Sequence, residues 1–126
     1  MPKFEKKKIL AVLEDLLFTV KINDVAKRNG LDVEFVKSER DAIDKAKTNP
    51  MLIILDLNSR AVDALKLIGD LKADDSTRKI SLIGYVSHVQ GELKQKAHEA
   101  GCDIVMARSA FSQNLPVLLK RHAGVV

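Results

Sequence analysis

Strand and helix signals alternate five times along this chain, and that alternation restricts its fold more than any other feature. Lys8 to Leu13 reads as a strand, followed by a helix with Leu17, Val20, Ile22, Val25 and Ala26 on roughly one face. Gly30 supplies its stop. Val33 to Val36 forms a short second strand, and Ser38, three residues before Asp41, caps a helix that runs to about Thr48. Pro50 closes that unit. Met51 to Asp56 is the third strand, and Val62 to Leu71 continues with helical spacing. Ile80 to Val86 is the fourth strand, with Gly84 an oddity inside it, and Gln90 to Ala100 is a helix ending at Gly101. Ile104 to Ala107 makes a brief fifth strand. The last helix is expected to start near Ser112, with Pro116 in or just past its first turn, where a missing N–H matters little.

Such an order predicts an α/β domain of (βα)5 type, because right-handed crossovers place helices on both faces of a parallel sheet. The first and third strands are apolar runs that end in acids, as suits central strands buried on both sides. In a doubly wound sheet of order 2-1-3-4-5 these two strands flank the topological switch point, where ligands bind at the carboxyl ends. Glu14, Asp15 and Asp56 are therefore expected at one rim.

With 126 residues the chain suits a single domain, its core at about 8–121, a basic leader at 1–7 and a tail at 122–126. No apolar run approaches the roughly 20 residues needed to span a bilayer. Acids interrupt the segment that would complete a signal peptide, and Cys102 is the only cysteine, so a cytoplasmic location is expected. The net charge of +4 owes much to Lys3, Lys6, Lys7 and Lys8, a cluster read as a solubilising end. With no Trp and one Tyr, a stacking surface for single-stranded nucleic acid is not expected.

The segment "PMLIILDLNSRAVDALKLI", Pro50 to Ile68, together with "GCDIVMARSAF", Gly101 to Phe111, resembles the receiver domain of two-component response regulators, of the single-domain chemotaxis type. The likeness covers about residues 8–121 and implies a flavodoxin-like fold. It implies that Asp56 is the phosphoacceptor, and that Asn58 offers a backbone carbonyl to Mg²⁺ beside Glu14, Asp56 and possibly Asp15. It also makes Arg108 the basic residue pairing with the phosphoryl group, in place of lysine. The chemistry asks for such residues, since in-line attack by a carboxylate crowds negative charge onto oxygens that a metal and a basic side chain must neutralise.

Four positions depart from the family's pattern. Its acid pair aligns with Leu13 and Glu14, its switch hydroxyl with Val86 (Ser87 lies one residue on), and its aromatic switch residue with Val105. Its lysine–proline pair becomes Arg108–Ser109, and Arg for Lys is not conservative. With Ser109 in place of proline the preceding peptide bond is expected to be trans, since cis would cost about 3 kcal/mol.

The expectation is a stand-alone atypical receiver in phosphorelay signalling, not an enzyme. Its phosphodonor would be a histidine kinase or phosphotransfer protein, and its output would pass by protein binding through a face at Gln90 to Lys120. The alternative is a phosphorylation-independent pseudo-receiver acting as an interaction module. A flavodoxin-like cofactor binder fits less well, because "LEDLLFT" has two acids and no glycine where a phosphate would sit. His88 is expected to be a loop residue, Cys102 inert packing, and Tyr85 core rather than switch.

Overall fold

The computed structural model describes residues 8–87 and 91–123. Five strands, β1 (Lys8–Val12), β2 (Asp32–Val36), β3 (Leu52–Asp56), β4 (Ser81–Val86) and β5 (Ile104–Ala107), alternate with five helices. The helices are α1 (Leu16–Arg28), α2 (Glu39–Ala46), α3 (Ala64–Ala73), α4 (Gly91–Ala100) and α5 (Arg108–Ala123). All strand pairs are parallel, and the sheet order is β2-β1-β3-β4-β5. This is the doubly wound sheet that the alternation predicted. No helix among the described residues is long and apolar enough to cross a membrane.

Because side chains alternate across a strand, the central strands feed two cores. Leu10, Val12, Ile53, Leu55, Leu82 and Val86 pack under α2, α3 and α4. Ile9, Ala11, Leu52, Ile54, Ile83 and Tyr85 pack under α1 and α5. Ile53, Ile54 and Leu82 are wholly buried, which explains why these stretches read as continuous apolar runs rather than alternating ones.

The cap signals are seen where the chain needs them. Ser38 Oγ accepts from the Asp41 amide at 3.1 Å. Gly30 takes φ +71°, a conformation that lets α1 end at Arg28 without a Cβ clash.

Three local expectations are corrected. Leu17 and Val20 are 77% and 67% exposed, and the buried stripe of α1 is instead Phe18, Ile22, Val25 and Ala26. Their spacing of four, three and one keeps that stripe on one face, which Leu17 and Val20 leave. The α2 helix stops at Ala46, short of Thr48, where Asn49 adopts φ 64° before Pro50. Finally, α5 starts directly after β5 at Arg108, so Pro116 lies in its interior. A proline there supplies no N–H to the Ser112 carbonyl.

Gly84 is explained by close approach. A Cβ at this position would meet the Leu57 side chain at 2.9 Å. Gly84→Ala is therefore expected to destabilise the fold by about 1–3 kcal/mol through overpacking. A urea melt showing an unchanged midpoint would rule out that crowding.

Candidate functional site

The rim at the carboxyl ends of β1 and β3 is built from loops that leave two largely buried interior strands. β1 and β3 are neighbours in register, with Val12 opposite Leu55, so the residues that follow them emerge side by side. Leu13 remains in the core, Glu14 is exposed, and Asp15 is partly buried.

Asp15 does two jobs. Its Oδ1 accepts from the amides of Leu17 at 2.9 Å and Phe18 at 3.3 Å, capping α1. Its Oδ2 accepts from the Arg108 guanidinium, an ion pair joining the first helix to the start of the last. Arg108 also lies over the Phe18 ring, with Cζ 4.4 Å from its centroid, a cation–π contact that holds the guanidinium flat. The sequence placed Asp15 at this rim, as a further candidate ligand for the metal. It is the cap, and it is also the partner of Arg108.

Asp56 ends β3, partly buried, and its Oδ1 accepts from the Asn58 amide at 2.9 Å. Burial raises its pKa above the ordinary carboxylate range. The Asn58 amide and the positive charge of Arg108 pull the other way, while Asp15 and Glu14 add to the rise. Asp56 therefore feels all three of these neighbouring charges. The Asn58 side chain reaches across to the next loop, its Oδ1 accepting from the Ser87 amide at 2.6 Å. That bridge was not foreseen.

Val86 and Val105 are packed into the core under α2, α3 and α4, and Ser87 is exposed. The two positions where a hydroxyl and an aromatic ring would act therefore carry buried apolar side chains. Aromatic mass lies instead on the opposite face of the sheet. Phe18, Tyr85 and Phe111 form a cluster, with ring centroids 5.0 Å apart for Phe18–Tyr85 and 4.9 Å for the stacked Tyr85–Phe111 pair. Tyr85 is core, as expected, but its hydroxyl is buried and finds no hydrogen-bond partner among the described residues. Leaving such a group unsatisfied costs about 1–3 kcal/mol. Burial and the nearby charges of Asp56 and Asp15 push the phenol pKa up, so the proton stays on oxygen.

Cys102 is buried, and burial raises its thiol pKa to about 11, which suits inert packing. No peptide bond among the described residues is cis, so the Arg108–Ser109 bond is trans as expected. His88 and the leader lysines Lys3, Lys6 and Lys7 lie outside the described residues.

Whether a divalent cation suits this rim turns on the donors left over. Among the described residues no group of three or more His, Cys, Asp or Glu converges on one point. Asp15 is committed on both oxygens. Glu14, Asp56 and the Asn58 backbone carbonyl are oxygen donors of the kind that fits Mg²⁺, which typically takes one or two carboxylates and keeps several waters.

No protein-family model matches the sequence, and no curated protein matches it. Solved structures do. The phosphorylated cyanobacterial phytochrome response regulator RcpA superposes with a TM-score of 0.84 at 16% identity, covering 97% of each chain. The chemotaxis response regulator CheY4 of Vibrio cholerae gives 0.80 at 18% identity, covering 94% of this chain and 99% of that one. The receiver domain of a Pseudomonas aeruginosa sensor histidine kinase, with magnesium coordinated in its active-site cleft, gives 0.80 at 20% identity, covering 95% and 99%. The structural neighbours of this chain are response-regulator receiver domains, and its fold is theirs.

The Asp56 shift has a sign that can be measured. An acid whose pKa is higher folded than unfolded destabilises the fold once pH exceeds the unfolded value. Asp56→Asn is therefore expected to raise the melting temperature at neutral pH. Its advantage should shrink as pH falls through the folded pKa of Asp56 toward the ordinary carboxylate range. A melting difference independent of pH would contradict the burial of this charge.

Proposed function

We propose that this chain is an atypical receiver module of phosphorelay signalling, with Asp56 as phosphoacceptor and output by protein binding. The observation that carries this reading is the partly buried Asp56 at the end of β3, within electrostatic reach of Arg108, Asp15 and Glu14. An Asp56 carboxylate oxygen would attack the donor phosphorus in line, forming an acyl phosphate as the donor's bond to phosphorus breaks. Magnesium, held by Glu14, Asp56 and the Asn58 carbonyl, would supply charge neutralisation on the transferring oxygens. Arg108 would pair with the phosphoryl group by leaving Asp15, fork to oxygen. That a neighbouring structure is phosphorylated and another holds magnesium supports the same chemistry here.

Partners follow from the surface. Leu16, Leu17 and Val20, exposed at the start of α1, lie next to Asp15 and so beside the acceptor. A phosphodonor protein, a histidine kinase or a phosphotransfer protein, would be received on that apolar group. A downstream protein would bind the Gln90 to Lys120 face, where Val117 is exposed. The module is not itself an enzyme in this reading.

A pseudo-receiver that binds partners without phosphorylation is the second reading, favoured by the burial of Val86 and Val105. Acetyl phosphate separates the two. With magnesium present, the protein is expected to gain the mass of one phosphoryl group, and Asp56→Asn to gain none. No gain at high donor concentration would leave the pseudo-receiver.

A further inference from the structure

Tyr85 carries a polar group that the proposed chemistry leaves unused. It sits in register beside Asp56 on the neighbouring strand, and strand alternation puts both side chains on the α1 and α5 side of the sheet. Its ring packs against Phe18 and Phe111, which also touch each other, and this three-ring cluster restricts where its hydroxyl can lie. That hydroxyl is buried and unpartnered among the described residues, and it feels the charges of Asp56, Asp15 and Arg108. The guanidinium of Arg108 rests on Phe18, one ring away.

We propose that Tyr85 is the hydroxyl donor to a tetrahedral oxyanion on Asp56, completing with Arg108 a binding site on the opposite side of the sheet from Val86. The inference rests on the reading of Asp56 as acceptor. A buried hydroxyl in an aromatic cluster, with no partner among the described residues, is a donor that an incoming acceptor oxygen would satisfy. The hydroxyl missing at Val86 is thereby supplied by the preceding residue of the same strand. Arg108 reaches the same anion by exchanging Asp15 for it, and its departure from the Phe18 ring disturbs the aromatic cluster around Tyr85. Tyr85 is a phosphoryl-binding residue in this scheme, and Asp15 is a positioning residue that parks Arg108 until the anion forms.

Tyr85 is the only tyrosine and the chain has no tryptophan, so absorption and emission excited beyond the phenylalanine band report on this side chain alone. Beryllofluoride with magnesium serves as the probe, because it adds to an aspartate as a tetrahedral phosphoryl mimic. Binding to wild type is expected to change tyrosine emission and to shift its absorption, as the phenol begins to donate. Tyr85→Phe is expected to weaken beryllofluoride, measured by fluorine resonance, by about tenfold or more, the loss typical of a hydrogen bond to a charged group. The same variant should melt higher than wild type in the free state, because it deletes an unsatisfied hydroxyl. A merely structural tyrosine would show the reverse, lost stability with unchanged binding, and that result overturns the proposal. So does beryllofluoride that binds with no change in the tyrosine signal. If wild type binds no beryllofluoride at all, the acceptor reading of Asp56 falls and this proposal falls with it.

Discussion

Two strands buried on both faces end next to each other, and the remainder of the molecule answers to that fact. After Lys8 at the start of β1, neither strand has a solvent-facing side on which to place polar residues, so polarity appears where they stop. Acids released there arrive together, and burial disfavours the charge of Asp56. Like charges in such a place require compensation. The compensation arrives from the far end of the chain, as Arg108 at the first residue of α5.

The way Arg108 is held gives the rim its character. A lysine would offer a point charge, whereas a planar guanidinium can lie on the Phe18 ring and still reach the Asp15 carboxylate. The aromatic cluster beneath therefore supports an electrostatic contact as well as filling the core under α1 and α5. On the other face of the sheet, Val86 and Val105 fill their positions with branched aliphatic groups that neither bond nor swing. The aromatic rings lie on the α1 and α5 face, away from Val105.

Much of this was open to reading from sequence, and what was not has physical causes. The parallel sheet with helices on both faces followed from alternation, and Ser38 and Gly30 announced their caps because capping is local chemistry. The buried stripe of α1 was misjudged, since Leu17 and Val20 are as apolar as Phe18 and periodicity cannot say which face turns inward. The start of α5 was missed because no capping residue separates Ala107 from Arg108. The Arg108–Asp15 pair spans 93 residues, and no spacing rule anticipates a contact at that distance. For the same reason the cluster of Phe18, Tyr85 and Phe111 was invisible: three elements contribute one ring each.

One consequence of the Asp15 carboxylate reaches beyond stability. Because one oxygen begins α1 and the other restrains Arg108, electrostatic tuning of the rim and the geometry of the first helix are inseparable variables for this chain. A substitution drifting in at this position would alter both properties in a single step. Descendants of the sequence would have to repair a helix start and a charge balance simultaneously, which narrows the routes by which this rim can change.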